Sequence, residues 1–263
     1  MKMFFAVLAG LCSGEVVKTC TSSGKIAMCF DGNPTDKVDR LLKILDENDT
    51  KATFHISIEH LANDEVEKRV KEIFKRGHLI GMLLTMDYSS LNSPSVKTIE
   101  EDLKNKIKAF QEIIGRPPRY IRYTLAPNPM LTQAAGNIGL ILTTHNLDSQ
   151  SYKNATSNSV LNVFEKTFRV SHYQKNSFIS LQALESTPSI DATKNIIDKI
   201  KEYNYVTVRL DVCCGHSEEY SPKPSSSSSS GPKGTSLDDE EKKEDSGVRA
   251  ARALALLILL LLF

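Results

Sequence analysis

The sequence lacks several features that mark particular classes of protein. Tryptophan is absent from its 263 residues, and the formal net charge is only +1. A charge so close to zero argues against nucleic acid as the main partner. A protein that stacks on sugar rings usually contains tryptophan, but tyrosine and phenylalanine also offer an aromatic face. The apolar stretches at the two ends of the sequence are shorter than the roughly 20 residues that a membrane-spanning helix needs.

The remaining composition is that of a globular domain. Hydrophobic residues make up 40% and charged residues 25% of the chain, which is enough apolar material for one large core. Residues 15–222 carry nearly all of the patterned apolar segments, and we predict that they form one domain.

The first residues have the pattern of a secretory signal peptide. Lys2 provides a positive charge, Met3 to Cys12 is a short apolar stretch, and small residues follow at Ser13 and Gly14. This order predicts a signal peptide over residues 1–14. The alternative interpretation of this apolar stretch is a first buried strand.

The last residues have the pattern of an anchor signal. A serine tract and a charged stretch occupy residues 223–245 and predict a linker. Small residues at Ser246 and Gly247, a short spacer and an apolar tail complete residues 246–263. This order predicts a lipid anchor of the GPI type attached near Ser246. A tail-anchored helix is the alternative, and both place the domain on the outer face of the plasma membrane.

Secretion would expose the cysteines to an oxidising compartment. Once Cys12 leaves with the signal peptide, Cys20, Cys29, Cys213 and Cys214 remain. We expect Cys20 to bond Cys213 or Cys214 and so tie the two ends of the domain together. Cys29 is expected to be a buried thiol.

Two sequons predict N-glycosylation. They begin at Asn48 and Asn154, each followed two residues later by threonine, and we expect both to lie on surface loops if they are used.

Strand and helix patterns alternate along the domain. Period-two or continuous apolar runs alternate with runs of helical periodicity through about seven units, which implies an α/β fold with a parallel sheet. At this length we predict a closed or distorted (β/α) barrel. The predicted strands are 26–30, 51–58, 78–84, 120–123, 140–147, 177–184 and 205–212, and the predicted helices are 36–47, 66–76, 94–114, 130–139, 158–167 and 192–203.

The first strand ends in an acidic turn. Ile26 to Phe30 is apolar, and Asp31, Gly32, Asn33 and Pro34 follow at once. Sites in α/β folds form at the carboxyl ends of strands, so Asp31 is a candidate site residue. An ordinary strand end with a solvated aspartate is the alternative.

The order of short segments resembles the polysaccharide deacetylase family, carbohydrate esterase family 4, whose fold is the NodB-homology type of distorted (β/α) barrel. With the predicted secretion signal and anchor, the chain resembles fungal-type chitin deacetylases. The segments that carry the resemblance are Lys51–Phe54, Gly77–Gly81, Gly115–Arg122, Asn146–Ser149 and Tyr205–Val208.

The resemblance implies metal-assisted hydrolysis of N-acetyl groups, with a divalent metal, usually zinc, held by one aspartate and two histidines. Asp31 falls on the family's general base. The three ligand positions fall on Gly32, Leu83 and Asp87. Glycine and leucine offer no donor, and a lone carboxylate does not hold zinc against water. We therefore expect no bound cofactor.

The other family motifs are partly retained. Arg122 matches the arginine that tunes the catalytic aspartate, and Asp148 matches the acid of the fourth motif. The fifth motif lacks its histidine, because none occurs between His172 and His216. We expect Asp31, Arg122 and Asp148 to persist as a buried ion-pair network. The positions that would contact a substrate are Tyr123, Leu125 and Tyr152.

The histidines do not offer a replacement metal site. No two of them lie four residues apart, and we interpret His55 and His145 as histidines within strands rather than as ligands.

Three functional hypotheses follow. The first is a catalytically inactive deacetylase homologue, anchored at a cell-wall or spore-wall interface, that binds chitin or a related wall polysaccharide. The second is an active chitin deacetylase with altered metal chemistry. The third is a structural wall component with a vestigial cleft.

Overall fold

The computed structural model describes residues 16–88, 95–124 and 129–216. The predicted signal peptide, linker and anchor segment lie outside these residues. Among the described helices, none combines the length and the apolar character that a bilayer-spanning helix requires.

The described residues form nine strands and seven α-helices. The strands are β1 (Lys25–Ala27), β2 (Cys29–Asp31), β3 (Thr53–Ser57), β4 (Leu79–Leu84), β5 (Tyr120–Tyr123), β6 (Ile141–Thr143), β7 (Leu147–Asp148), β8 (Phe178–Ala183) and β9 (Val206–Val208). The helices are α1 (Lys37–Glu47), α2 (Asp64–Lys75), α3 (Val96–Ile114), α4 (Pro129–Asn137), α5 (Ser157–Arg169), α6 (Thr187–Glu202) and α7 (Leu210–Cys213), with a short 3-10 helix at Ile58–His60.

The strands form one parallel sheet that curves without closing. Its order is β6-β5-β4-β3-β2-β8-β1-β9, and β7 pairs with β8. The segment before β1 runs along β6, because the Val17 N–H donates to the Leu142 carbonyl and the Thr144 N–H donates to the Val17 carbonyl. The predicted distorted barrel is confirmed.

The predicted first strand, 26–30, is divided between two neighbours. β1 pairs with β8 and β9, whereas β2 pairs with β3 and β8. Met28 lies between the two strands, and its carbonyl accepts from the Thr53 N–H. One continuous apolar run therefore forms two short strands, and each of them pairs with β8 and with one other strand.

Two other predicted strands are shorter in the structure. The run 140–147 becomes β6 and β7, which pair with β5 and β8 respectively. The run 205–212 ends as a strand at Val208, and its last residues form α7.

Capping residues start several helices earlier than their apolar periodicity predicts. Asn63 accepts hydrogen bonds from the Glu65 and Val66 N–H groups at the start of α2. Ser186 caps α6, which begins five residues before the predicted start at 192. Polar caps satisfy helical N–H groups but carry no apolar signal.

The two faces of the sheet bury different residues. One face packs against the helices. The inner face carries, near the first residues of the strands, a small apolar group that we call the amino-end cluster: Cys20, Ala27, Cys29, Leu79, Tyr120, Ile179, Leu210 and Cys213.

A disulfide between Cys20 and Cys213 lies in the amino-end cluster. It joins the segment before β1 to α7, so it ties together the two ends of the domain. Of the two partners left open by the sequence, the structure pairs Cys213, while Cys29 and Cys214 stay outside the bond.

Candidate functional site

Asp31 is the last residue of β2 and lies on the inner face of the sheet. Its Oδ1 is 2.7 Å from Nδ1 of His55, and its Oδ2 is 3.3 Å from Nε of Arg122. We call Asp31, His55 and Arg122 the charge cluster. The predicted proximity of Asp31 and Arg122 is present, and His55 is a partner that the sequence reasoning missed.

Strand register places the three side chains together. Asp31 pairs with His55 across β2 and β3, and Arg122 lies on β5, where its guanidinium Nη2 also donates to the Ser180 carbonyl at 3.3 Å. Arg122 is only 2% exposed. A buried guanidinium requires an acidic partner, and Asp31 is that partner.

The charges in the cluster favour an ionised Asp31 beside a neutral His55. Burial alone would raise the pKa of Asp31. Arg122 and His55 together lower this pKa by more than burial raises it, so the net shift is downward. Burial lowers the pKa of His55 despite the nearby carboxylate. Because an ionised carboxylate only accepts hydrogen bonds, Nδ1 of His55 is the donor to Asp31.

The family's metal-ligand positions do not assemble a metal site. Gly32 has no side chain, Leu83 is apolar, and Asp87 follows β4 beside Tyr123, whose pKa is raised by burial and by this carboxylate. Across the described residues, no group of three or more histidine, cysteine, aspartate or glutamate side chains could hold a metal ion. The donor set in this cleft does not fit zinc.

Asp148 lies outside the charge cluster. Its Oδ1 accepts from the Gln150 N–H at 2.8 Å, and its Oδ2 accepts from the Tyr152 hydroxyl at 2.8 Å. His145 interacts electrostatically with both Asp148 and Asp31. Burial and Arg122 lower the pKa of His145, although Asp148 and Asp31 act in the opposite direction. Of the expected network of Asp31, Arg122 and Asp148, only Asp31 and Arg122 lie together. His55 takes the third place in the cluster.

The candidate substrate-contact residues differ in exposure. Tyr123 is 7% exposed and packs in the core, whereas Tyr152 is 56% exposed beside Asp148. Leu125 lies outside the described residues. Of the two tyrosines, Tyr152 is the one that presents an aromatic face to solvent.

The fifth-motif segment lies on β8, and its side chains form hydrogen bonds within the sheet. The Ser180 hydroxyl accepts from the Cys29 N–H at 3.1 Å and from Gln182 Nε2 at 3.4 Å. Both side chains are fully buried. This segment presents hydroxyl and amide groups where an acid-base histidine would be needed for hydrolysis.

The two predicted glycosylation sites have different surroundings. Asn48 ends α1, and its Nδ2 donates to the Ile44 carbonyl at 2.8 Å. Asn154 is exposed just before α5, which Thr156 caps. Their modification stays a prediction, and the predicted anchor residue Ser246 lies outside the described residues.

The chain is similar to a known family model and to known proteins. Residues 18–140 match the family model described as polysaccharide deacetylase. The chain is 26% identical over 214 residues to a chitin deacetylase of Colletotrichum lindemuthianum, covering 78% of this chain and 86% of the relative. It is 24% identical to a chitin deacetylase of Arthroderma benhamiae, covering 77% of this chain and 55% of that relative.

Solved structures share the fold. The chitin deacetylase structure from Colletotrichum lindemuthianum superposes with a TM-score of 0.69 at 25% identity, covering 78% of this chain and 93% of that one. A carbohydrate esterase family 4 pseudoenzyme from Bacillus anthracis gives a TM-score of 0.64 at 16% identity, covering 76% of this chain and 69% of that one. The second similarity concerns the fold alone.

Proposed function

Because the chain belongs to the polysaccharide deacetylase family, as residues 18–140 and the chitin deacetylase relatives indicate, we propose that it binds chitin or a related wall polysaccharide without hydrolysing it. The observation that carries this proposal is the identity of the three ligand positions, Gly32, Leu83 and Asp87. A metal bound there would polarise the acetamide carbonyl and acidify a water. Two of the three positions have no donor atom in their side chains.

The acid-base groups support the same proposal. A general base needs an oxygen that can accept a proton from water. Both oxygens of Asp31 face cationic or N–H groups, at 2.7 Å from His55 and 3.3 Å from Arg122. The fifth-motif segment has no histidine to protonate a leaving amine. Loss of the ligands and the acid together removes the route to hydrolysis.

Tyr152 provides the binding surface in this proposal. Its exposed ring is oriented by the hydrogen bond to Asp148, and the Nζ of Lys153 lies 5.6 Å from the ring centroid. Gln150, in the same turn, has a φ of 55°, a conformation that a non-glycine residue adopts only when its surroundings hold it there. An aromatic ring held in one orientation can stack on a sugar at low entropic cost.

A retention assay tests the binding. The full chain is passed over chitin, chitosan and cellulose, and soluble chitooligosaccharides serve as competitors. We expect retention on chitin that falls with Tyr152→Ala but persists with Tyr173→Ala, which alters a tyrosine in the loop before β8, at the opposite end of the strands. Absence of retention on every polysaccharide would refute the binding.

The second candidate is an active deacetylase with altered metal chemistry. The names of the chitin deacetylase relatives favour it. It requires stoichiometric zinc or cobalt and release of acetate from chitooligosaccharides. A protein that stays metal-free after incubation with zinc, measured by elemental analysis, would exclude it.

The third candidate, a structural wall component with a vestigial cleft, predicts that wall assembly is unchanged when Asp31 and Tyr123 are substituted.

We also propose that the domain is secreted and anchored at the outer face of the plasma membrane, next to the wall. The disulfide between Cys20 and Cys213 is consistent with an oxidising compartment. Phospholipase cleavage of intact cells tests the GPI-type anchor near Ser246. Release of the protein by the enzyme is expected, and retention after treatment would favour the tail-anchored helix.

A further inference from the structure

The hydrogen bond between His55 and Asp31 is built into the sheet. The two residues are direct neighbours across β2 and β3, and the His55 side chain is fully buried. With Asp31 ionised, the Nδ1–H of His55 points at Oδ1 from 2.7 Å. This oxygen is therefore occupied by a group that the strands hold in place.

Gly81 creates the space for this imidazole. It pairs with His55 across β3 and β4. A Cβ atom at position 81 would lie 2.5 Å from Cδ2 of His55 and 3.2 Å from the Tyr120 carbonyl oxygen. Only glycine leaves room for the ring against β4, so positions 31, 55 and 81 act as one unit.

The backbone at Gly32 is part of the same arrangement. Its N–H donates to the His55 carbonyl at 3.0 Å, and its φ of +134° is one that residues with side chains rarely adopt. A side chain added at position 32 would be strained. A ligand side chain at position 32 therefore requires a strained backbone or a change of its conformation.

The other oxygen of Asp31, Oδ2, is buried and faces Arg122. Nε of the guanidinium lies 3.3 Å from Oδ2 in an ion pair without a hydrogen bond, and Nη2 donates to the Ser180 carbonyl. The negative charge of the carboxylate is compensated by residues of the chain. No metal is needed to balance it.

We propose that His55 is a permanent internal partner of Asp31 that prevents this carboxylate from serving as a base, independently of the missing metal ligands. This inference rests on the proposed function, because it explains a second barrier to hydrolysis. It also predicts that replacing the ligands alone does not restore the site.

The test compares two repaired variants. The first carries Gly32→Asp, Leu83→His and Asp87→His, and the second adds His55→Phe, which keeps a ring against Gly81 but removes the donor. Zinc affinity is measured by calorimetry, and acetate release is measured with chitopentaose. A third variant, with His172→Phe added instead, controls for the loss of an exposed histidine.

We expect the variant with His55→Phe to bind zinc at least about tenfold more tightly than the first, because Oδ1 of Asp31 is then free to accept a hydrogen bond from a water on the zinc. Zinc affinity is the deciding measurement, since both variants still lack the fifth-motif histidine that would protonate a leaving amine. Equal affinities in the two variants, including no binding in either, would overturn the proposal. Acetate release by the unmodified chain would refute the proposed function instead.

A double-mutant cycle in the metal-free protein provides a second measurement. Asp31→Asn, His55→Phe and the double variant are compared by urea unfolding. We expect the unfolding equilibrium constants to be coupled by about tenfold or more, as for neighbours that share a hydrogen bond. If His55→Phe does not fold, His55→Gln, which keeps a donor, replaces it and should couple more weakly. Additive effects would overturn the inference.

Discussion

The amino-end cluster and the charge cluster lie on the same inner face of one sheet, two residues apart along β2 and β5. Cys29 and Tyr120 belong to the first, and Asp31 and Arg122 belong to the second. The first packs apolar side chains around a disulfide and is flanked by a buried ion pair of Arg209 and Asp211, which lie two residues apart in sequence. The second joins Asp31 and Arg122, which come from separate strands, at the carboxyl end of the strands, where sites form in parallel sheets.

The charge cluster should be the more sensitive of the two to a single substitution. Arg122→Met leaves the Asp31 carboxylate buried without its ion-pair partner, and we expect a loss of about 3–5 kcal/mol in the free energy of unfolding. Arg76→Met is the control, since Arg76 forms exposed ion pairs with Asp46 and Glu72 worth about 0–1 kcal/mol. Urea unfolding measures both, and similar losses would contradict the distinction.

The amino-end cluster should depend on its disulfide. Cys213→Ser removes a cross-link that spans 193 residues of sequence, and we expect a loss of about 2–4 kcal/mol. Cys214→Ser, at the adjacent position outside the bond, should cost much less. Equal losses would mean that either cysteine can pair with Cys20.

A histidine near the amino end of the strands should make the protein sensitive to acid. His78 is fully buried, and its Nδ1 accepts from the Ala52 N–H. Burial, with a smaller contribution from Lys51, lowers the pKa of His78 to about 3. Between pH 6.5 and about 3, His78 is therefore protonated in the unfolded chain but neutral in the folded protein. Stability falls as the pH falls through this range, by up to about 1.4 kcal/mol per unit.

The measurement is urea unfolding at a series of pH values. His78→Gln keeps an acceptor for Ala52 but does not titrate, so the slope should flatten between pH 6.5 and 3. His172→Gln changes an exposed histidine and should leave the slope as it is. An unchanged slope in the His78 variant would contradict the assignment.

The smallest effect is expected at the exposed rim of the carboxyl end. Tyr152→Phe removes the hydroxyl that donates to Asp148, and we expect a loss below about 1 kcal/mol, because the bond is exposed to water. Retention on chitin should fall modestly, since the ring remains but loses its fixed orientation. A loss of retention as large as that of Tyr152→Ala would show that the hydroxyl itself contacts the ligand.

Much of the carboxyl-end site was predictable. Asp31 stands at the end of an apolar run before a turn, and Arg122 lies in a segment that resembles the family motif. The structure places their side chains 3.3 Å apart, whereas Asp148 contacts Gln150 and Tyr152 instead. His55 was not found, because its role depends on register between strands that are 24 residues apart in sequence. Gly81, which pairs with His55, was the remaining sequence signal for the position of this histidine. The pairing can be recognised only once the register of β3 and β4 is known.

The amino end shows the same division. Four cysteines in a chain that is predicted to be secreted favour a disulfide, but Cys213 and Cys214 are adjacent, and only the turn of α7 directs the first of them toward Cys20. Similarly, the apolar run 26–30 predicts a strand, yet the change of partners at Met28 depends on where β8 and β9 lie.

By itself, the sequence determined the alternation of strands and helices, the resemblance to the polysaccharide deacetylase family, and the absence of donor atoms at two of the family's metal-ligand positions. These features are local, because they depend on periodicity and on residue identity. The tertiary structure decided which groups meet: His55 with Asp31 over Gly81, and Cys20 with Cys213. Such pairings depend on register and burial, which arise only when distant strands pack and exclude water from the groups between them.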